Sequence, residues 1–127
     1  MNFKILVCKK CGNIVEVIKA SGVPIVCCGV PMVELVPNTV EASLEKHIPM
    51  YEINGNNVFI KVAEVEHPME KEHYIEWILI KTNNGFQIKY LNYTDKPECN
   101  FTLSDGDRLE AVYAYCNLHG LWVNDVK

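Results

Sequence analysis

Residues 74–90 read YIEWILIKTNNGFQIKY, and this stretch decides the fold of the larger part of the chain. A run over residues 74–80 that is apolar except for Glu76 leads to the turn-forming sequence Asn83-Asn84-Gly85, and apolar and polar residues then alternate from 86 to 90. A period of two, interrupted by Asn and Gly, is typical of β-strands separated by a turn. The stretch therefore predicts two successive strands.

The same pattern extends outward on both sides. Further strand-like segments occupy residues 58–62, 100–103 and 109–115, and turn formers at 54–57 and 104–107 precede or separate them. About seven strands in roughly 85 residues is the spacing of an antiparallel β-sandwich. No segment has a long apolar stripe at helical spacing, so we expect an all-β protein.

The first 36 residues have a different character. They are β-rich over residues 14–18, have turn points at Gly12, Gly22 and Gly29, and end at Val36-Pro37-Asn38-Thr39, which has no periodicity. We therefore place two domains at residues 1–37 and 38–127. A unit below about 40 residues usually needs a metal, a disulfide or oligomerisation to remain folded.

Composition narrows the class of protein. The chain has 127 residues, 49% of them hydrophobic, and a net charge of −4, which argues against a protein that binds nucleic-acid phosphates. No apolar stretch approaches the roughly 20 residues of a membrane-spanning helix, and residues 1–7 are too short for a signal-peptide core. We expect a cytoplasmic protein without a nucleic-acid or membrane partner, in which closely spaced cysteines bind metal.

Four cysteines in the first unit have metal-ligand spacing: Cys8, Cys11, Cys27 and Cys28. Four thiolates in a tetrahedron suit zinc or iron. Adjacent strand residues point to opposite faces, so the second pair can share one ion only if the backbone turns sharply there, with help from Gly29 and Pro31. Spacing alone leaves open whether the metal is a structural staple or an electron-transfer iron.

A second set of ligand-type residues lies in the strand-rich unit: His47, His67, His73, Cys116 and His119. Cys116-Asn117-Leu118-His119 is a Cys-x2-His motif at the end of a strand, and Pro68 places two of the histidines in a loop. Four imidazoles and one thiolate exceed the four-coordinate shell of structural zinc, so a redox-active iron with one open position fits better. Cys99 has no partner motif and is predicted to be a free thiol.

These motifs resemble those of desulfoferrodoxins, the two-iron class of superoxide reductases, over nearly the whole chain. The segments that carry the resemblance are Cys8–Asn13, Cys27–Gly29, Glu45–Pro49, His67–Glu70, His73–Trp77 and Cys116–Trp122. The resemblance implies a small desulforedoxin-like domain followed by an immunoglobulin-like antiparallel β-sandwich or barrel.

The resemblance also implies functions for the residues. The four cysteines would hold a rubredoxin-like iron, and the catalytic iron would have the four histidines as equatorial ligands and Cys116 as the axial one. Lys46 would attract superoxide, and Glu45 would take the open position in the oxidised resting state. The implied reaction is the reduction of superoxide to hydrogen peroxide without dioxygen, in a homodimer that receives electrons from a rubredoxin.

Two other functions are compatible with parts of the sequence. The chain could be a small electron carrier in which only the four-cysteine iron is active. Zinc in the first site could instead make it a metal-stapled binding module without redox chemistry. Neither alternative explains why the second unit contains five ligand-type residues.

Overall fold

The computed structural model describes residues 3–40 and 42–127 and separates into two compact units between Val36 and Pro37. The first two residues of the predicted first domain lie outside the described ranges. The first unit contains the strands β1 (Lys4–Val7), β2 (Ile14–Val17), β3 (Val26–Cys27), β4 (Val30–Pro31) and β5 (Val33–Glu34). The second contains α1 (Leu44–His47), β6 (Met50–Asn54), β7 (Asn57–Lys61), β8 (Ile75–Thr82), β9 (Gly85–Tyr90), β10 (Glu98–Thr102), β11 (Leu109–Cys116) and β12 (Gly120–Asp125).

The first unit has a three-stranded antiparallel sheet in the order β2-β1-β5, and β3 and β4 form a separate hairpin. Among its described residues only Ile5, Val7 and Cys8 are buried. Large apolar side chains such as Ile18 and Val23 are exposed. Hydrophobic burial in this unit is therefore too small to account for its folding, as its length predicted.

The second unit is an antiparallel two-sheet structure, which confirms the all-β prediction. One sheet has the order β10-β7-β6 and the other β12-β11-β8-β9. The quoted stretch forms β8 and β9, with Thr82 paired to Gly85 across the turn. Strands β6 and β12 were not identified individually from the sequence, although the total of about seven strands agrees with the described part of this unit.

Buried side chains from both sheets form one core cluster. Alternate residues of β7, Val58 and Ile60, meet Ile78 and Ile80 of β8 and Val112 of β11 in it. All of these are fully inaccessible to solvent. Because β8 is buried on both faces along most of its length, its sequence does not show the simple alternation of a strand with one face in solvent.

Helical structure in the described ranges is limited to one α-helix, the four-residue α1, which carries Glu45, Lys46 and His47. Residues 3–40 and 42–127 contain no helix that could span a membrane.

Candidate metal centres

The Cys-x2-Cys motif forms the loop of the β1–β2 hairpin, whose last paired residues are Val7 and Ile14. Within the loop, the backbone N–H of Gly12 donates to the carbonyl of Cys8 at 2.9 Å, and the N–H of Cys11 donates to the Cys8 sulfur at 3.5 Å. Gly12 has a φ of +85°, a conformation that glycine adopts without steric cost. The loop therefore turns both sulfurs of the motif to one side.

The adjacent cysteine pair lies in the second hairpin of this unit. Cys27 pairs with Val30 across the β3–β4 ladder, so Cys28 and Gly29 are the two residues of the turn. Their φ angles are +54° and +75°. Two consecutive positive φ values are typical of the tight type I′ hairpin turn. This is the sharp turn that the adjacent pair requires if both sulfurs are to face one ion.

The four sulfurs of this unit converge, each within 4.8 Å of the others. Cys11 and Cys28 are exposed, and Cys8 is buried. Backbone hydrogen bonding from Cys11 lowers the pKa of the Cys8 thiol to about 6, whereas hydrogen bonding with Cys11 and Cys8 raises the pKa of Cys28 to about 12. The chain itself thus stabilises the Cys8 thiolate, whereas Cys27 and Cys28, whose pKa values are raised, need a cation to become thiolates.

The second unit brings together all five of the other predicted ligands. Their ligand atoms also lie within 4.8 Å of one another, and they belong to His47, His67, His73, Cys116 and His119. Cys116 pairs with Gly120, so His119 is the last residue of the three-residue hairpin loop that follows Cys116. A register shift between Tyr115 and Cys116 in the β8–β11 ladder occurs at the same place. Such bulges change the direction of a side chain next to a functional site.

Hydrogen bonds to backbone carbonyls determine which ring nitrogens face the cluster. Nδ1 of His47 lies 2.7 Å from the carbonyl of Ser43, and Nδ1 of His67 lies 2.7 Å from the carbonyl of Pro68. A carbonyl oxygen only accepts, so each Nδ1 is the donor and each Nε2 is left without a proton. These two bare Nε2 atoms face each other at 3.2 Å.

The other two histidines complete the cluster. Nε2 of His73 is buried and has no hydrogen-bond partner among the described residues. Nδ1 of His119 lies 3.1 Å from Nε2 of His47 and 3.8 Å from the sulfur of Cys116. Three imidazoles therefore present Nε2 and one presents Nδ1. Sequence reasoning could not decide this, because it depends on how each ring is held.

Burial disfavours protonation of three of the imidazoles, and the neutral form is the one that binds metal. It lowers the pKa of His47, lowers that of His67 to about 4, and lowers that of His73. Burial also raises the pKa of the Cys116 thiol, and backbone hydrogen bonds from His119 and Leu118 partly offset this effect. With protonation disfavoured, the facing nitrogen lone pairs and the orphaned nitrogen need a metal cation, and this donor set fits iron.

Asn117 is a site residue that sequence reasoning missed. Its side-chain oxygen accepts from the backbone N–H of Tyr74 at 3.0 Å, and its side-chain N–H donates to the carbonyl of Glu72 at 2.9 Å. These two bonds attach the Cys-x2-His loop to the backbone on both sides of His73. The motif itself marks position 117 only as a spacer, so no signal in the sequence indicates this function.

Trp122 also supports the cluster. It is fully buried, its ring lies 4.8 Å from the ring of His47, and its Nε1–H donates to the carbonyl of His119 at 3.1 Å. One side chain thus fixes two of the histidines. Such contacts orient ligands and strengthen metal binding.

The remaining predicted residues lie outside the ligand clusters. Glu45 is exposed and lines a surface pocket of about 320 Å³ that also includes Ile48, Met50 and Glu64. Lys46 is exposed, and its charge contributes to lowering the pKa of the neighbouring His47. Cys99 packs against the core, and burial raises its pKa to about 11, so it remains a protonated thiol.

Together, the two clusters define a class of protein with two different metal centres, one made of four sulfurs and one of four nitrogens and one sulfur. Residues 39–125 match the family model described as Desulfoferrodoxin, and residues 2–35 match the one described as Desulfoferrodoxin, N-terminal domain. The chain belongs to the desulfoferrodoxin family. Its two candidate sites are consistent with the two iron centres predicted from the sequence.

Similar proteins cover nearly all of the chain. A desulfoferrodoxin homolog of Archaeoglobus fulgidus is 47% identical and the alignment covers 91% of this chain and 90% of that protein. The desulfoferrodoxin of Nitratidesulfovibrio vulgaris is 42% identical, with 94% of both chains covered. The crystal structure of the superoxide reductase from Treponema pallidum is 34% identical, has a TM-score of 0.83, and aligns over 98% of this chain and 100% of its own.

Proposed function

We propose that this protein is a superoxide reductase. The reaction takes one electron and two protons for each superoxide and gives hydrogen peroxide without dioxygen. The observation that carries this proposal is the convergence of four imidazoles and one cysteine sulfur in a largely buried site. The likeness to the superoxide reductase of Treponema pallidum over the whole chain supports it.

We propose that Nε2 of His47, His67 and His73, Nδ1 of His119 and the sulfur of Cys116 are the ligands of this centre. Bound iron would supply the redox chemistry, a one-electron transfer to superoxide. The chain itself orients the ligand atoms, through the carbonyls of Ser43 and Pro68 and through Asn117. This preorganisation lowers the cost of binding.

Cys116 is proposed to set the electron-donating character of the centre. An anionic sulfur ligand would make bound iron a stronger electron donor, as a thiolate does in haem enzymes. The sulfur is fully buried, so water does not screen its charge. The backbone N–H groups of His119 and Leu118 stabilise the anion and so moderate this effect.

Lys46 is proposed to attract superoxide to the site. It is exposed, it follows Glu45 in α1, and it directly precedes the buried ligand His47. A cation at the entrance raises the rate at which an anionic substrate arrives, even though the whole chain is acidic. The same ammonium group could hold a water that supplies one of the two protons.

Glu45 is proposed to act as a gate in the oxidised resting protein. Its carboxylate is not among the converging ligand atoms and lines the surface pocket beside Ile48. The proposed function therefore requires the side chain to swing towards the site after oxidation and to leave again after reduction. α1 has only four residues and is exposed at Glu45, so this movement disturbs little packing.

The first centre is proposed to hold iron and to store electrons for the second, in domains bounded as predicted at 1–37 and 38–127. Two compact units that divide between Val36 and Pro37 are compatible with this arrangement. A rubredoxin is the proposed electron donor. The protein is further proposed to be a homodimer and to reside in the cytoplasm, where the six described cysteines remain reduced and free of disulfides.

Anaerobic purification followed by metal analysis and rapid mixing with superoxide tests this function. We expect two irons per chain and one hydrogen peroxide for each superoxide consumed, with stoichiometric oxidation of the reduced protein. Dismutation would instead give half as much peroxide together with dioxygen. One iron per chain with no reaction would favour an electron carrier, and zinc alone would favour a binding module.

A further inference from the structure

The two units carry opposite charge. Residues 1–36 contain four lysines and two glutamates, for a net charge of +2, whereas residues 37–127 contain eight basic and fourteen acidic residues, for a net charge of −6. The total of −4 conceals this difference. Net charge of one sign favours binding of partners with the opposite sign, so an acidic protein is attracted by the first unit and repelled by the second.

Two of the four lysines lie at the four-cysteine centre itself. Lys9 and Lys10 are the spacer residues of the Cys-x2-Cys loop, and both are exposed. Cys11, which follows them, is exposed as well, and so is Cys28 on the other hairpin. Val26 is 60% exposed directly before Cys27. We call these five residues the cysteine edge, defined as Lys9, Lys10, Cys11, Val26 and Cys28.

We propose that the cysteine edge is the docking surface for an acidic electron-transfer protein. The proposal rests on the function proposed above, in which the chain needs a donor of one electron for each superoxide. The donor is oxidised by one electron at this surface, and superoxide is the final acceptor of that electron. The exposed sulfurs provide the closest approach to the centre, and the lysines select the partner.

The charge of the centre makes the lysines necessary. Four thiolates carry a net charge of about −1 with a ferric ion and about −2 with a ferrous ion. Without Lys9 and Lys10 the edge would repel an acidic donor. With both lysines, the edge is more positive in the oxidised form, which must accept an electron, than in the reduced form, which must release its donor. Small redox interfaces depend on such charge complementarity more than on buried area.

Binding of an oxidised rubredoxin of net negative charge to the iron-loaded full-length protein, measured by NMR titration at low ionic strength, tests the proposal. We expect Lys9→Glu with Lys10→Glu to raise the Kd at least about tenfold. The matched control, Lys96→Glu with Lys127→Glu, makes the same change in net charge at two exposed positions of the second unit. We expect it to change the Kd less than about twofold.

Three results would overturn the proposal: no binding to the unaltered protein, no loss in the first variant, or an equal loss in both. Lys9→Gln with Lys10→Gln removes the charges without adding acidic groups and should give an intermediate Kd. If the variant with reversed charges loses its metal, the Kd of the variant with two glutamines is the deciding measurement. Oxidation of the chemically reduced protein by superoxide needs no donor, so it tests the proposed function separately and should be unchanged in every variant.

Discussion

The two metal centres differ most in what surrounds them. Two of the four sulfurs in the first unit are exposed, in a unit with three buried residues among those described. In the second unit, His47 and His67 are 3% and 1% exposed and Cys116 is fully buried. The first cluster lies in two hairpin turns, while the second lies at the end of a large sandwich core.

The two units therefore differ in how far folding depends on the metal ion. In the first unit, ligand binding replaces a hydrophobic core, so the ion holds the hairpins together. In the second unit, a large hydrophobic core supports the segments that carry the imidazoles, so we expect the unit to fold without the ion. Exposure suits exchange of electrons with a partner protein, whereas burial suits chemistry on a small substrate.

Metal removal should produce the largest difference in stability between the two units. We expect the chelated, reduced protein to lose the structure of the first unit, because structural metal binding supplies about 10–16 kcal/mol in comparable small domains. The second unit should remain folded. Amide hydrogen exchange is the measurement: protection of Lys4–Val7 should disappear, and protection of Ile75–Thr82 should persist. Equal protection of both strands without metal would contradict this difference between the units.

Asn117→Ala should weaken the second centre alone. The change removes both side-chain hydrogen bonds that attach the hairpin loop to the backbone around His73. Loss of such supporting bonds typically lowers metal affinity about 10- to 100-fold. Competition with a chelator measures the affinity of each centre. Asn56→Ala, which breaks an exposed bond to Asp105, is the control, and equal affinities in the two variants would contradict the assignment.

Lys46→Gln should slow the capture of superoxide at the second centre. We expect the second-order rate to fall about three- to tenfold at low ionic strength, because a cation at the entrance attracts the anion. The difference should shrink as salt is added. Pulse radiolysis at several salt concentrations measures this, with Lys96→Gln as an exposed control. A rate equal to that of the unaltered protein at low salt would remove Lys46 from the proposed entrance.

Gly29→Ala should affect only the first unit. Gly29 has a φ of +75° and a Cβ there would contact nothing within 4 Å, so the cost is backbone strain of about 1 kcal/mol. Gly106→Ala is its counterpart in the second unit, with a φ of +88° and equally open space. Denaturation monitored by hydrogen exchange should show a lower stability of the first unit in Gly29→Ala and of the second unit in Gly106→Ala. A shift of both units by either substitution would mean that they unfold together.

Glu45→Ala should have the smallest effect on turnover. If its carboxylate reaches the centre only in the resting state, we expect the superoxide rate to change less than about twofold. The absorption spectrum of the oxidised protein should shift. Glu64→Ala is the matched control, because this glutamate lines the same surface pocket. An unchanged oxidised spectrum after Glu45→Ala would show that Glu45 is not a ligand.

Residue spacing predicted a large part of the fold and of the candidate sites. Turn formers such as Asn83-Asn84-Gly85 delimit the strands, and the ligand types Cys and His are rare enough in this chain to sort into two groups. Strands β6 and β12 were not predicted individually from the sequence. Their pairing with β7 and β11 supplies the preference that their own sequences do not show, because β-propensity depends on neighbours.

The sequence by itself determined that the protein is all-β, that its first unit needs a metal, and which nine residues are candidate ligands. Only the tertiary structure decided that three imidazoles present Nε2 and His119 presents Nδ1, and that Asn117 joins two loops. The physical reason is that ligand type and turn chemistry are local properties. The orientation of each ring and the hydrogen bonds of the Asn117 side chain depend instead on where backbone carbonyls and amides lie. Their positions are set by the folded path of the chain.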